Sequence, residues 1–219
     1  VDKLYFSWYY DYSVIDRLQV PEYVPMLWCD TWPANGGGFH YINQGIANLG
    51  YDYDGLLMFL NEPELSSQCD MTPQEAAAFY EQVRTTFPFA HLVGPNISSN
   101  GLPWLAEWYT LIIADGLPLP ETAAVHSYLN EDPHLLIDRL FAVLDDYPGT
   151  ANKVWVSEFG NCDPEQAQNM IESYQSDTRI ERYAWFTVRN WDTPDCLNLL
   201  DDNDELTAVG QVWKDSHGE

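Results

Sequence analysis

Two glutamates stand out by their setting. Glu62 follows the apolar run 55–61 (GLLMFLN) in the segment Asn61-Glu62-Pro63-Glu64, and Glu158 closes a second such run in Val156-Ser157-Glu158-Phe159-Gly160. A carboxylate at the end of an apolar segment is costly unless it is paired or used. One alone could serve as a helix cap or an ion-pair partner; two in equivalent positions point to joint chemistry. Cleavage of a glycosidic bond needs such a pair. The reaction passes through an oxocarbenium-like state, in which one carboxylic acid protonates the leaving oxygen while a carboxylate on the opposite side attacks or stabilises the sugar carbon. A semi-buried, aromatic-lined site beside a second carboxylate favours the protonated form that the first role requires. Asn61, just before Glu62, is placed to hydrogen-bond a sugar 2-hydroxyl, an interaction that strengthens in the transition state.

Both glutamates must be held at strand ends, and the elements to do this are readable. Runs rich in β-branched and aromatic residues occur at 4–10, 23–28, 55–61, 91–95, 122–128, 153–159 and 181–187, with a weaker one at 197–200. They alternate with amphipathic stretches, the pattern of an α/β fold with a parallel sheet. Thr72-Pro73-Gln74-Glu75 combines an N-cap Thr, a Pro at the first helical position and a Glu three residues on, a capping box opening a helix to Thr85. Asp132-Pro133 and Asp163-Pro164-Glu165 open two more helices, to Asp146 and Gln175; 103–114 is helical by period, and Thr207 begins the last helix. Seven or eight strands with intervening helices suit a closed barrel, whose chemistry gathers where strands end. A doubly wound sheet is the alternative, but no Gly-rich phosphate loop follows any strand. The expectation is a compact α/β fold, a (β/α)8-type TIM barrel, with 1–219 as a single catalytic domain.

Composition narrows the partners. With 9 Lys+Arg against 34 Asp+Glu, the net charge is −25. Such a surface repels phosphates and polyuronates, so nucleic acid, anionic lipid and acidic polysaccharides are disfavoured and a neutral substrate fits best. The same acidity would also keep a secreted protein soluble. No apolar run reaches the roughly 18 residues of a membrane span. The first residues, Val1-Asp2-Lys3-Leu4, carry no signal pattern, as expected of a mature form or an excised domain. Nine Trp and fourteen Tyr are many for 219 residues, and aromatic faces suit the apolar surfaces of sugar rings. Trp28 ends its run, Trp185 lies near the end of another, and Trp104 opens a helix after the fourth; these three are expected in the site, with Trp32 in a loop nearby. Trp155 reads as core, while Trp108, Trp191 and Trp213 are undecided. Of Trp8, Tyr9 and Tyr10, alternation lets only some face the interior. His126 and Tyr128 share a strand face within reach of a glutamate, a satisfied core histidine being the alternative for His126. The run Asp201-Asp202-Asn203-Asp204-Glu205 lacks the glycine and distal glutamate of a calcium loop and reads as a solvated turn. No metal and no cofactor are expected.

In their order along the chain, several segments resemble the clan A glycoside hydrolases, and more closely family 128, the small β-1,3-glucanases. They are Tyr23-Val24-Pro25-Met26-Leu27-Trp28, Asn61-Glu62-Pro63-Glu64, Met71-Thr72-Pro73, Leu92-Val93-Gly94-Pro95, Trp104-Leu105, Val125-His126 with Tyr128, the stretch 154–160, Arg182-Tyr183-Ala184-Trp185-Phe186, and Leu206-Thr207 with Gly210-Gln211. The resemblance implies a retaining endo-β-glucanase acting on β-1,3-glucan by double displacement, with Glu62 as acid/base, Glu158 as nucleophile and Tyr128 donating to Glu158. Its partner would be a neutral β-glucan, and the protein a secreted monomer. Other clan A specificities (β-1,4-glucan, mannan or xylan) and a non-catalytic glycan-binding barrel are the alternatives. The sequence departs from the family pattern at Glu64, where Asp is expected, and at Ser127, where a Trp often sits. The glutamates follow the third and sixth strand candidates, whereas the clan uses the fourth and seventh. The interval of three is right, so one N-terminal strand would be irregular or displaced, with 197–200 compensating.

Cys29, Cys69, Cys162 and Cys196 match no zinc spacing and allow three pairings. All four lie on loops after strand candidates, on the face of the glutamates. Neighbouring loops suggest Cys29–Cys69 and Cys162–Cys196, bracing the rim and implying an oxidising compartment.

Overall fold

The computed structural model describes residues 3–17, 22–31, 40–128, 132–150, 152–190 and 193–218. Trp32 and Trp191 lie outside these residues. Six parallel strands form one sheet in chain order: β1 (Met26–Leu27), β2 (Leu56–Phe59), β3 (His91–Ile97), β4 (Thr122–Ser127), β5 (Val154–Phe159) and β6 (Ile180–Trp185). Helices α1 (Tyr41–Leu49), α2 (Pro73–Thr86), α3 (Leu102–Ala114), α4 (Pro133–Leu144) and α5 (Pro164–Ser176) fall one between each consecutive pair of strands. A 3-10 turn at Asp195–Leu197 leads to α6 (Ala208–His217). The strand order never reverses, so there is no switch point of the doubly wound kind, and the repeat is that of an α/β barrel.

The central strands are mostly apolar because both faces are covered. All six residues of β4 and all six of β5 are buried. Where β2, α2 and α3 meet, Phe59, Phe79, Tyr80 and Trp108 pack with ring centroids 5.1 to 6.2 Å apart. Trp155 is fully buried, as read from the sequence; Trp108 and Trp213 also belong to the core. The helix starts follow their local signals. The Thr72 hydroxyl accepts from Glu75 N–H while the Glu75 carboxylate accepts from Thr72 N–H, and Asp132, Asp163 and Thr207 cap α4, α5 and α6 through their side chains. Helix α1 has no such signal: His40 precedes it without a side-chain cap.

The stretch 4–10, expected as a first strand, does not join the ladder as one. It makes a single parallel bridge, in which Tyr9 N–H donates to Glu22 O and Val24 N–H to Tyr9 O, each at 2.9 Å. Its side chains do the holding instead. Trp8 packs on Trp155 at 4.9 Å between centroids, and the Arg182 guanidinium lies over both rings. The Trp213 indole donates to the Tyr5 carbonyl at 3.0 Å. Among the described residues, no backbone hydrogen bond joins this segment to β6. The run at 197–200, expected as a weaker strand, forms none: Leu197 ends a 3-10 turn and Leu200 makes an isolated bridge to Leu206, while Leu199 and Leu200 donate to the Thr187 and Val188 carbonyls at 3.0 Å, just past β6. The strand count is therefore corrected: Glu62 follows the second strand and Glu158 lies in the fifth, with the interval of three intact. Cys29 is bonded to Cys69 and Cys162 to Cys196, the two pairs expected. No helix of the described residues is long and apolar enough to cross a membrane.

Candidate active site

The backbone after β2 turns sharply to deliver Glu62. Leu60 and Glu62 both have positive φ, 57° and 41°, on either side of Asn61. Each left-handed non-glycine residue costs about 1–3 kcal/mol and persists only where its surroundings over-determine it. Here β3 supplies the determination. Glu62 N–H donates to Asn96 O at 2.7 Å, Asn96 N–H donates to Leu60 O, and the Asn96 amide donates to the carbonyls of Phe59 and Leu60 at 3.2 and 3.0 Å. Gly94, at φ 119°, brings β3 so close to β2 that a Cβ there would meet the Phe59 carbonyl at 2.6 Å. Four buried rings beneath, at about 1.5–3 kcal/mol each, outweigh the strain.

Glu158 is positioned by the ladder itself. It stands opposite His126 in the β4–β5 register, so the two side chains are neighbours. Its carboxylate is buried; Tyr12 donates to Oε1 at 2.7 Å and Tyr128 to Oε2 at 2.8 Å, and the Tyr10 hydroxyl, whose nearer acceptor is Ser157 O, lies 3.2 Å from Oε1. Burial, reinforced by the Glu158 charge, pushes all three phenols well above their ordinary range, so they stay protonated as donors. Hydrogen bonds to a charged group contribute about 1.5–3 kcal/mol each. Together they match the several kcal/mol that burying a carboxylate costs.

His126 links the two carboxylates. Its Nδ1 lies 2.9 Å from Glu62 Oε1 and 3.4 Å from Glu158 Oε2. Nδ1 therefore carries the hydrogen and donates to Glu62. Burial is the largest single influence and pushes the imidazole down, but the Glu158 charge, the hydrogen bond to Glu62 and the charges of Glu62 and Glu64 together lift it above its ordinary value. The ring's Nε2 is buried without a partner among the described residues. Glu64 accepts from Ser98 N–H at 2.6 Å, and burial raises its pKa.

The structure thus brings Glu62, Glu158, His126 and Tyr128 into one network. Asn61 is buried beside them; its amide donates to Gln68 and its Oδ1 has no hydrogen-bond partner among the described residues. Trp28 directly follows β1, buried, with its ring 6.1 Å from Tyr41. Trp185 ends β6, its indole donating to Leu197 O at 2.8 Å. Trp104 lies in the first turn of α3 and donates to Met71 O at 2.9 Å. Ser127 points the other way, accepting from Tyr174 on α5. Sequence reasoning missed Tyr12 and Asn96, and left Tyr10 unplaced. For Asn96 a signal existed, a polar residue after Gly94-Pro95 at the end of an apolar run; Tyr12 offered none. A cavity of about 640 Å³ opens between the N-terminal segment and β6. Neither glutamate lines it; it borders the network only through Tyr10, Tyr12 and Phe186.

Two carboxyl groups at barrel strand ends, coupled through a histidine, form an arrangement able to deliver a proton and a nucleophile to one bond. The sequence falls in a corresponding class: residues 2–213 match the glycosyl hydrolase catalytic core family, and the chain belongs to it. Its structural neighbours are glucanases of glycoside hydrolase family 128, in agreement with the strand-end motifs. One is an endo-β-1,3-glucanase of subgroup II from Pseudomonas viridiflava, 25% identical over 95% of this chain and 88% of that one, with a TM-score of 0.72. Another is a curdlan-specific exo-β-1,3-glucanase of subgroup III from Blastomyces gilchristii, solved with glucose, at 26% identity, 95% and 89% coverage and a TM-score of 0.73. An Amycolatopsis mediterranei subgroup I endo-β-1,3-glucanase, solved with laminaripentaose, is 19% identical over 98% and 92% with a TM-score of 0.76, a likeness of fold. No curated protein matches the sequence.

Proposed function

We propose that this protein is a retaining endo-β-1,3-glucanase in which Glu62 is the acid/base and Glu158 the nucleophile. One observation carries the reading. Two carboxylate oxygens at 2.9 and 3.4 Å from a single nitrogen are closer together than the roughly 6.5–9.5 Å an inverting pair keeps for its water. In the first step Glu158 attacks the anomeric carbon while Glu62 gives its proton to the leaving oxygen. A water, deprotonated by Glu62, then displaces Glu158 and releases the sugar. With His126 donating to Oε1 of Glu62, the transferable proton sits on Oε2. The unpartnered Oδ1 of Asn61 is an acceptor for a sugar 2-hydroxyl, and Trp28, Trp104 and Trp185 are the proposed stacking surfaces for glucosyl units. The substrate is a neutral β-glucan, as the charge of −25 suits. The protein works as a secreted monomer, consistent with its two disulfides.

The test is a panel of neutral polysaccharides with product sizing and anomer analysis by NMR. The proposal expects early release of a ladder of β-1,3-linked oligosaccharides as β-anomers. First-formed α-anomers would overturn retention, and hydrolysis of another linkage alone would overturn the specificity. The likeness to the Blastomyces enzyme favours a second reading, exo action, which would yield glucose from the outset.

A further inference from the structure

The Oε1 side of Glu158 is furnished by a segment outside the strand ladder. Tyr12 is carried there by a left-handed turn, φ 59°, and its hydroxyl donates to Oε1 at 2.7 Å. The preceding residue is pinned: the Asp11 carboxylate accepts from Arg17 at 2.8 Å, and the Tyr23 hydroxyl lies 2.8 Å from it and 2.5 Å from the Ser13 carbonyl. The Tyr12 ring is wedged edge-on between Tyr10 and Phe186, with centroids 5.1 and 6.2 Å away. Tyr10 also approaches Oε1, at 3.2 Å, but its single proton has a nearer acceptor in Ser157 O at 2.8 Å. Tyr12 is thus the principal donor to that oxygen.

A hydrogen bond to a carboxylate is stronger than one to the ester formed from it, because the charge is gone in the ester. A donor fixed on Glu158 therefore stabilises the free carboxylate over the glycosyl ester. Such a bond does little for attack and much for release. We propose that Tyr12 is a positioning residue that speeds breakdown of the covalent glycosyl-enzyme by holding a hydrogen bond ready for the carboxylate as it leaves. The inference rests on the retaining reading above. In the step concerned, water attacks the anomeric carbon and gives its proton to Glu62. The bond from that carbon to the Glu158 oxygen breaks, and its electron pair returns to the carboxylate that Tyr12 receives.

The test compares wild type with Tyr12→Phe on an aryl β-glycoside of a β-1,3-linked diglucoside, whose good leaving group makes release the slow step. Loss of one charge-assisted hydrogen bond should lower kcat about 10- to 100-fold. Meanwhile kcat/KM, which reports attack, should change less than KM, and KM should fall in step with kcat. Rapid-quench mass spectrometry should find the glycosyl-enzyme accumulating in the variant. Tyr10→Phe should show a smaller shift of the same kind. A fall in kcat with KM unchanged and no accumulated adduct would reduce Tyr12 to a structural role, as would unchanged kinetics in a variant whose thermal unfolding matches wild type. Wild type is also treated with a 2-deoxy-2-fluoro glycosyl fluoride. If no adduct forms on Glu158, the retaining reading itself fails; if the adduct forms and Tyr12→Phe behaves as wild type, only the role of Tyr12 does.

Discussion

Glu158 sits inside its strand, buried, with a phenol donating to each of its two oxygens, and its position follows from the register of β4 and β5. Glu62 lies three residues beyond β2, on a backbone held twice in the left-handed region, and its carboxylate is hydrogen-bonded to His126. The two surroundings suit different tasks. An acceptor-only carboxylate wants several donors and a fixed direction, as a nucleophile does. A group that must gain and lose a proton each turnover is better left with one oxygen unengaged and some access to water. The difference teaches that identity of side chain decides little here, and supporting structure decides the rest.

The comparison breaks most visibly at the carboxylates themselves. Under the proposed roles, Glu158→Gln should lower kcat by about 10⁴- to 10⁶-fold whatever the leaving group, since a nucleophile is needed for every substrate. Glu62→Gln should cost about 10²- to 10⁴-fold on glucan, the range of general acid catalysis. That deficit should shrink on an aryl glycoside whose leaving group needs no proton. Leaving-group dependence measured side by side checks this. If the dependence appears in Glu158→Gln and not in Glu62→Gln, the roles are reversed.

What was legible in the sequence divides along the same line. Glu62, Glu158, His126 and Tyr128 lie at or near the ends of apolar runs, and a parallel ladder converts that position into proximity. Helices α2, α4, α5 and α6 announced themselves through Thr72, Asp132, Asp163 and Thr207. Tyr12 was illegible because its contact depends on a left-handed turn and on side-chain closure across the seam. The run 4–10 looks like a strand by composition, since aromatic residues that pack against Trp155 and Arg182 are the same types that favour a ladder. Helix α1, uncapped and with Gly45 as its buried residue, left no local mark.

Tyr128 sharpens the comparison at lower cost. It donates to the other oxygen of Glu158, at 2.8 Å, from the residue just past the strand that carries His126. Tyr128→Phe should lower kcat by about 10- to 100-fold where release is the slow step, one charge-assisted hydrogen bond converted to a rate, with a smaller change in kcat/KM. Steady-state kinetics on an aryl β-1,3-glucoside measure it. An effect under threefold would mean that register alone holds Glu158 in place.

The smallest effect concerns the group between them. The folded-state pKa of His126 is raised, burial being outweighed by Glu158, Glu62 and Glu64. A raised value means the protonated imidazole is bound more tightly in the folded state. The stability this supplies is fully present below the unfolded value of about 6.5 and is lost as pH rises through the folded pKa. Wild type should therefore lose stability relative to His126→Gln across that window, by up to about 1.4 kcal/mol per pH unit for one proton. Urea unfolding of both proteins at closely spaced pH values gives the difference directly. A gap that stays constant across the window would mean that His126 is neutral throughout and joins the carboxylates only as a hydrogen-bond donor. The asymmetry between Glu62 and Glu158 would then rest on the phenols and the strand-end turn, with no shared proton between them.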